Sequence, residues 1–437
     1  MTHSTPSIRR TLRRTAVAAG LVAALFGVSA CSSGSGAATG GATLWGLTGA
    51  DEDNVLTPSL KDWNADNDDA QVKATYFQND AYKTKIRTAV GAGSAPTIIY
   101  SWAGGTLDSY VKAGKVEDLT SDTEDIKGKF LESVWDQGVV DGKTYAVPMN
   151  ATTPIMFYWN KDVLDKAGVD EPKTWDDVLA AVPKLKKAGV APFAVAGASK
   201  WPLLMWEEYL VDRVAGPEAF NKVMAGEKDA WSDPGIIKAN EMIQELVDAG
   251  GFVDGFSSVT ADSNADIALL YTGKAAMMLQ GAWVVPTITQ QAPKFAENGL
   301  GYGTFPSVEG GKGDPSNIVG NPSGYFSISS AASEDQQEAA KDYLTEGVFD
   351  DGYVDRMVES GQVPPIKDID DKVQASGGDF GATVYDLTKN AENFQMSWDQ
   401  ALPPAQATAL LSNLDQLFSG AIDAEEFSDA MNKTIGK

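Results

Sequence analysis

At 437 residues the chain is long enough for two domains of ordinary size, each with its own core. A formal charge of −25, from 60 acidic against 35 basic residues, argues against nucleic acid as a partner and against flat docking on anionic lipid. His3 and Cys31 are the single histidine and the single cysteine, so the chain beyond them holds no His-based triad, no Cys–His nucleophile and no His/Cys zinc site.

Residues 1–30 carry Arg9, Arg10, Arg13 and Arg14, no acidic residue, and an apolar run from Ala16 to Ala30. That run is too short and too rich in small residues to span a bilayer, and it reads as the h-region of a secretory signal. Cys31 follows Leu25-Phe26-Gly27-Val28-Ser29-Ala30, which resembles the bacterial lipobox, where the cysteine is acylated and becomes the new N-terminus. The other reading is an ordinary signal-peptidase site after Ala30. The paired arginines leave the export route, Sec or twin-arginine, open. Ser32 to Gly41 is rich in Gly, Ser and Ala and predicts a flexible tether.

From Thr43 the pattern alternates strand and helix. Thr43 to Leu47, Val72 to Phe77 and Thr97 to Tyr100 are strand-like; Leu56, Leu60 and Trp63 recur at helical spacing, and Ala81 to Val90 is helical. This β-α-β-α-β order predicts a parallel sheet with right-handed crossovers, whose ligand loops follow the strands at Thr48 to Asp53, Gln78 to Asp80 and Ser101 to Thr106. Asp141-Gly142 predicts a tight hairpin turn. A second series begins at Ile155 to Tyr158. It continues with a helix opened by Thr174 and Asp177, a strand at Phe193 to Ala196, a helix over Trp201 to Val214, and a helix from Asp233-Pro234 to Gly250. Gly301 to Gly324 reads as a crossing loop, Tyr325 to Ser329 as a strand, Ser333 with Gln336 as a helix start, and Ala405 to Phe418 and Ala424 to Met431 as tail helices.

Gly273 to Pro286 is the most informative stretch. Ser263 with Asp266 predicts a capping box, Gly273 a helix stop, and Ala275 to Leu279 a strand covered on both faces. Gly281 then lets the backbone turn so that Trp283 emerges at the carboxyl edge, where open α/β sheets bind ligands. A core tryptophan is the competing reading.

Other motifs carry no site. Gly142-Lys143-Thr144 ends like a phosphate loop, but Gln137 stands where that motif needs glycine. Asn64, Asp66 and Asp68 alternate like the start of a calcium loop without its central glycine or final glutamate. A pair of catalytic carboxylates is allowed by the acidic composition but picked out by nothing.

Four segments, in order, resemble one family: the lipobox at Cys31, the run from Ala81 to Thr120, the segment from Gly142 to Trp159 with Asn160-Lys161 and Pro172-Lys173-Thr174-Trp175, and Gly273 to Trp283. They resemble the extracellular solute-binding proteins of carbohydrate ABC importers, the maltodextrin-binding-like family. The resemblance implies an α/β, two-lobe periplasmic-binding-protein-like fold of type II, hinged by crossing segments. It implies lobe 1 over 43–150 and 318–345, lobe 2 over 153–305 and 346–437, a first crossing near Asn150 to Pro154 and a second within Gly303 to Gly320. By family position, Trp283, Trp201, Trp102, Ser101, Asn150, Asp51, Gln78, Gly281 and Trp398 are the expected ligand contacts, with Trp206 and Trp45 in the core. Flat aromatics would take a sugar's apolar face and fixed polar groups its hydroxyl rim.

The implied protein is a lipid-anchored monomer on the outer face of the membrane. It has no cofactor and no resident metal; its partners are a carbohydrate, the permease subunits, and the membrane through lipid on Cys31. Ser101 to Gly105 lacks the charged pair that some maltodextrin binders place there, which favours a short neutral oligosaccharide such as xylobiose or cellobiose over maltose. Two other readings stay open: an exported hydrolase using two carboxylates, and a receptor for a non-sugar polyol.

Overall fold

Alternating apolar strands and amphipathic helices build two main sheets, each closed over by its own helices, with Val139–Val140 and Lys143–Thr144 forming a separate small hairpin. The computed structural model describes residues 41–49 and 52–436, so the signal segment, Cys31 and Asp51 lie outside the described residues. In the first lobe, Ala42–Leu47 pairs in parallel with Val72–Phe77 on one side and Ile98–Ser101 on the other. Tyr325–Ile328 and then Val147–Pro148 complete this five-stranded sheet. Tyr325–Ile328 runs antiparallel to both its neighbours.

The second sheet is built on Thr153–Asn160, an eight-residue strand. Ile155, Phe157 and Trp159 enter one apolar cluster and Met156 and Tyr158 another. This alternation is why the strand reads as one continuous apolar run: both of its faces are covered. Ala275–Gly281 pairs antiparallel with it, placing Gly281 opposite Ile155. Ala191–Ala194 lies beyond, parallel to Ala275–Gly281. Leu300–Gly303 and Ile318–Asn321 pair with the other edge of the long strand, and Phe394–Met396 extends the sheet. Helix starts at Thr174, Ser333 and Asp423 carry complete capping boxes.

The chain crosses between the lobes at 149–152 and at 322–324, and the two crossings are bonded to each other. Met149 N–H donates to the Gly324 carbonyl at 2.8 Å. Ser323 Oγ accepts from Asn150 N–H at 3.2 Å and donates to the Asn150 carbonyl at 2.7 Å. Thr152 N–H donates to the Val363 carbonyl at 2.9 Å, bringing a third connection alongside.

Three expectations are corrected. The second crossing falls after Asn321, because Ile318–Asn321 pairs with Thr153, Pro154 and Phe394–Met396 in the second sheet. The first lobe therefore resumes near Tyr325 and not at 318. Residues following 345 do not go directly to the second lobe: Val348, Phe349, Tyr353, Met357, Ile369 and Val373 belong to the first core, Val363 touches the second core beside the crossing, and from Phe380 the chain joins the second lobe. The helix before Gly273 starts at Ala265 after Asn264 at φ 53°, with no side-chain cap, because Asp266 is turned inward to accept from Gln280 Nε2 at 3.0 Å.

Long loop 304–317 is held by Arg213, 1% exposed, which pairs with Asp212 at 2.5 Å. It also donates to the carbonyls of Asp314, Pro315 and Asn317 at 3.3, 3.2 and 3.0 Å. The same helix, Trp201–Ala215, buries two adjacent acids, Glu207 and Glu208. Burial raises Glu207 from an ordinary 4.5 to about 8, with the Asn240 amide pulling the other way. The folded chain thus holds a proton that the unfolded chain releases, so stability present below the ordinary value is lost as pH rises toward the folded one. Melting temperature is expected to fall between pH 4.5 and about 8. Glu207→Gln should flatten that fall in scanning calorimetry across the interval; an unchanged slope would place the protonation elsewhere.

Candidate ligand-binding cleft

Between the lobes lies a cleft of about 300 Å³. Its walls come from the carboxyl ends of first-lobe strands, from both crossings, and from the second lobe. Thr48 and Gly49 follow the first strand, Gln78 and Asn79 the second, and Tyr100 and Trp102 lie at the end of the third. The ligand loops expected after these strands thus do reach the cleft.

Three indoles dominate the wall. Trp283 caps the helix that follows the Ala275–Gly281 strand, and its ring stands 6.0 Å from that of Trp201 at 60°. Trp102 faces them from the first lobe, edge-on to Tyr100 at 5.0 Å. Lys83 Nζ lies 4.9 Å from the Trp102 ring and 5.8 Å from that of Trp201, within the range of cation–π attraction.

Polar groups fill the spaces between the rings. Asn150 and Ser323 come from the crossings and Thr153 and Asn321 from the strand ends beside them; Glu208, Asp262, Asp266, Gln280, Asp399 and Gln400 come from the second lobe. Glu208 Oε1 accepts from Trp398 N–H at 2.6 Å, yet burial still holds its carboxyl well above the usual range. Burial raises Asp266 to about 6 against the Gln280 hydrogen bond. Asp262 is raised for the same reason, opposed mainly by the Asp80 N–H. Among the described residues no three or more His, Cys, Asp or Glu side chains converge as a metal site.

The candidate residues divide. Trp283, Trp201, Trp102, Asn150 and Gln78 line the cleft. Ser101 does not: it is buried at the strand end opposite Tyr325, with Oγ accepting from Ala103 N–H at 3.4 Å. Gly281 acts through its missing side chain, since a Cβ there would overlap the Trp283 ring. Trp398 is 1% exposed and stacks on Phe220 at 4.1 Å and 3°, so the ring is part of the second core, while its neighbours Ser397 and Asp399 line the cleft.

Sequence reading passed over Lys83, Glu208, Asp262, Asp266, Gln280 and Asp399. Glu207-Glu208 within the apolar run from Trp201 to Val211 was the available signal, because a carboxylate pair inside a buried helix asks for a reason. Where the lobes meet beside the cleft, Gly104 and Gly105 open a first-lobe helix against the carbonyls of Gln400 and Leu402. A Cβ at either glycine would overlap that backbone.

Comparison with known proteins gives the same picture. A family model described as bacterial extracellular solute-binding protein matches residues 49–347. A probable sugar-binding periplasmic protein of Mesorhizobium japonicum is 27% identical over 79% of this chain and 81% of its own length. An uncharacterized ABC transporter extracellular-binding protein of Pyrococcus horikoshii is 31% identical over 46% of this chain, a match spanning 45% of that relative. Among solved structures, a chain from work on xylan utilization by Caldanaerobius polysaccharolyticus superposes with TM-score 0.81 at 29% identity, covering 91% of this chain and 100% of that one. Maltose-bound T. maritima MalE3, at 18% identity and TM-score 0.71, shares the fold over 90% of this chain and 98% of its own. With well over half its length matched by the family model, the chain belongs to the bacterial extracellular solute-binding proteins.

Proposed function

We propose that this protein is a lipid-anchored extracellular receptor that captures a neutral mono- or oligosaccharide in the interlobe cleft and delivers it to an ABC permease. The observation that carries the reading is the convergence of Trp102, Trp201 and Trp283, from both lobes, on one cleft whose wall also presents amide, hydroxyl and carboxyl groups. Indole faces match the apolar faces of pyranose rings, and the polar groups between them match the hydroxyls. A volume of about 300 Å³ suits a short ligand.

Binding is by stacking and hydrogen bonding, sealed as the lobes close about the crossings; no bond of the ligand is broken. Among the described residues lining the cleft, Asp262, Asp266 and Asp399 outnumber Lys83. This balance disfavours a sugar acid and supports a neutral ligand. The relatives described as sugar-binding, and the xylan-utilization context of one structural neighbour, point the same way. Acylated Cys31 would hold the receptor at the membrane, and the permease would read the outer faces of both lobes beside the cleft.

Calorimetry with xylobiose, cellobiose, chitobiose and maltose tests the reading. Saturable binding of at least one, with the sugar recovered intact, is expected; products from any of them would favour a hydrolase, and binding of none would remove the sugar reading. With the sugar that binds, Trp283→Ala should lose at least about tenfold in affinity, about 1.4 kcal/mol. A glucuronic-acid-bearing analogue of that sugar should bind more weakly than its neutral parent.

A further inference from the structure

One side chain of the first lobe completes the hydrogen bonding of a second-lobe indole. Asp80 is the second residue of the helix Asn79–Ala92. Its Oδ1 accepts from Trp201 Nε1 at 3.1 Å, and its Oδ2 accepts from Ser199 Oγ at 2.5 Å. The Asp80 backbone N–H donates in turn to the Asp262 carboxylate, at 3.1 and 3.3 Å to the two oxygens. Ser199 Oγ accepts from Ala261 N–H at 3.0 Å. One helical turn beyond Asp80, Lys83 Nζ reaches Asp399 Oδ2 at 3.3 Å while lying over the rings of Trp102 and Trp201.

Except for the Ser199–Ala261 bond, within the second lobe, and the Lys83–Trp102 contact, within the first, each of these links joins residues of different lobes. They meet at a helix N-terminus, where free N–H groups favour the Asp262 carboxylate. Lys83 offsets the like charges of Asp80 and Asp262. Trp201 is only half fixed by its own lobe: it opens its helix after Lys200 at φ 64°, its ring is partly buried, and its indole N–H is turned toward the first lobe. An indole N–H at a partly dry site needs an acceptor, and the acceptor here arrives with the other lobe.

We propose that Asp80 is a positioning residue: by accepting from Trp201 across the cleft it fixes the plane of that indole when the lobes are together, so that lobe closure and completion of the stacking wall are one event. The proposal rests on the carbohydrate-receptor reading only for the ligand that the wall would hold. Its kinetic consequence is that Asp80 governs departure of the ligand more than arrival, since the contact must break before the lobes part and release it.

Two arms test it on the full chain. In the first, which needs no ligand, protein labelled with 5-fluorotryptophan is read by fluorine NMR, with Trp201 assigned by Trp201→Phe. Asp80→Ala should shift or broaden the Trp201 resonance and leave that of Trp206, in the same helix but in the core, where it was. Asp80→Asn should restore it, because its Oδ1 can still accept from the indole and its amide can donate to Ser199 Oγ. A Trp201 resonance identical in wild type and Asp80→Ala overturns the proposal, as does a Trp206 resonance that moves with it.

In the second arm, stopped-flow fluorescence uses xylobiose, or whichever of the four disaccharides calorimetry shows to bind. Asp80→Ala should raise the dissociation rate about tenfold, the loss expected for one charged hydrogen bond, with little change in association and in melting temperature. An unchanged dissociation rate, or a loss confined to association, overturns it. Failure of all four sugars to bind would bear on the receptor reading alone, and the fluorine arm would still decide the role of Asp80.

Discussion

The bonds that fasten the two crossings together are the constraint on which everything else depends. Ser323 Oγ is bonded to both the N–H and the carbonyl of Asn150, and Met149 is bonded to Gly324. Each bond joins residues more than a hundred positions apart, so neither crossing can shift without the other. Two sheets with separate cores can then move as bodies about a narrow waist, and the space they enclose is defined on one side by that waist. Asn150, Ser323 and Gly324 belong at once to the pivot and to the cleft wall. A molecule filling the cleft would therefore touch the hinge itself, and what it gained in contact would be available directly to closure.

The second lobe supplies most of the polar wall, and it does so with buried or half-buried carboxyl groups that hydrogen bonds tie down. Asp266 is held by Gln280, Glu208 by the Trp398 N–H, and Asp262 by the Asp80 N–H. Such groups are costly to bury and raise their own proton affinity in consequence. Trp398 shows how closely core and cleft are joined here. Its ring completes the second core against Phe220, while its main chain fixes a carboxyl that faces the ligand space.

Much of the architecture was legible because the central strands of the second sheet are covered on both faces. Thr153–Asn160 and Ala275–Gly281 are near-continuous buried runs, which have few alternatives, while Val72–Phe77, with Val72 buried and Lys73 and Thr75 exposed, was legible from its β-prone residues between polar ones. The second crossing was not legible. Glycine, proline and serine dominate 301–324 whether the chain there forms a strand, a loop or a hinge, and only pairing with Thr153 and Pro154, distant in sequence, makes Ile318–Asn321 a strand. Trp283 and Trp102, which line the cleft, stood out because each follows closely on the end of a strand. Trp398 could not be sorted from them, since a ring on a four-residue helix faces core or cleft according to its rotation alone. Lys83 and Asp80 were hidden for a different reason: their partners Asp399, Ser199 and Trp201 are brought near only by the meeting of two lobes.

Gly104 and Gly105 lie against the carbonyls of Gln400 and Leu402 with no room for a methyl group. Contact between the halves at that edge is main chain on main chain, which no rotamer change can soften. The width of the shut compartment is thus set by peptide geometry at its rim, while the identity of what fits inside is left to side chains within. Size and chemistry of the cargo are in that sense inscribed in separate parts of the molecule, and one can drift while the other is kept.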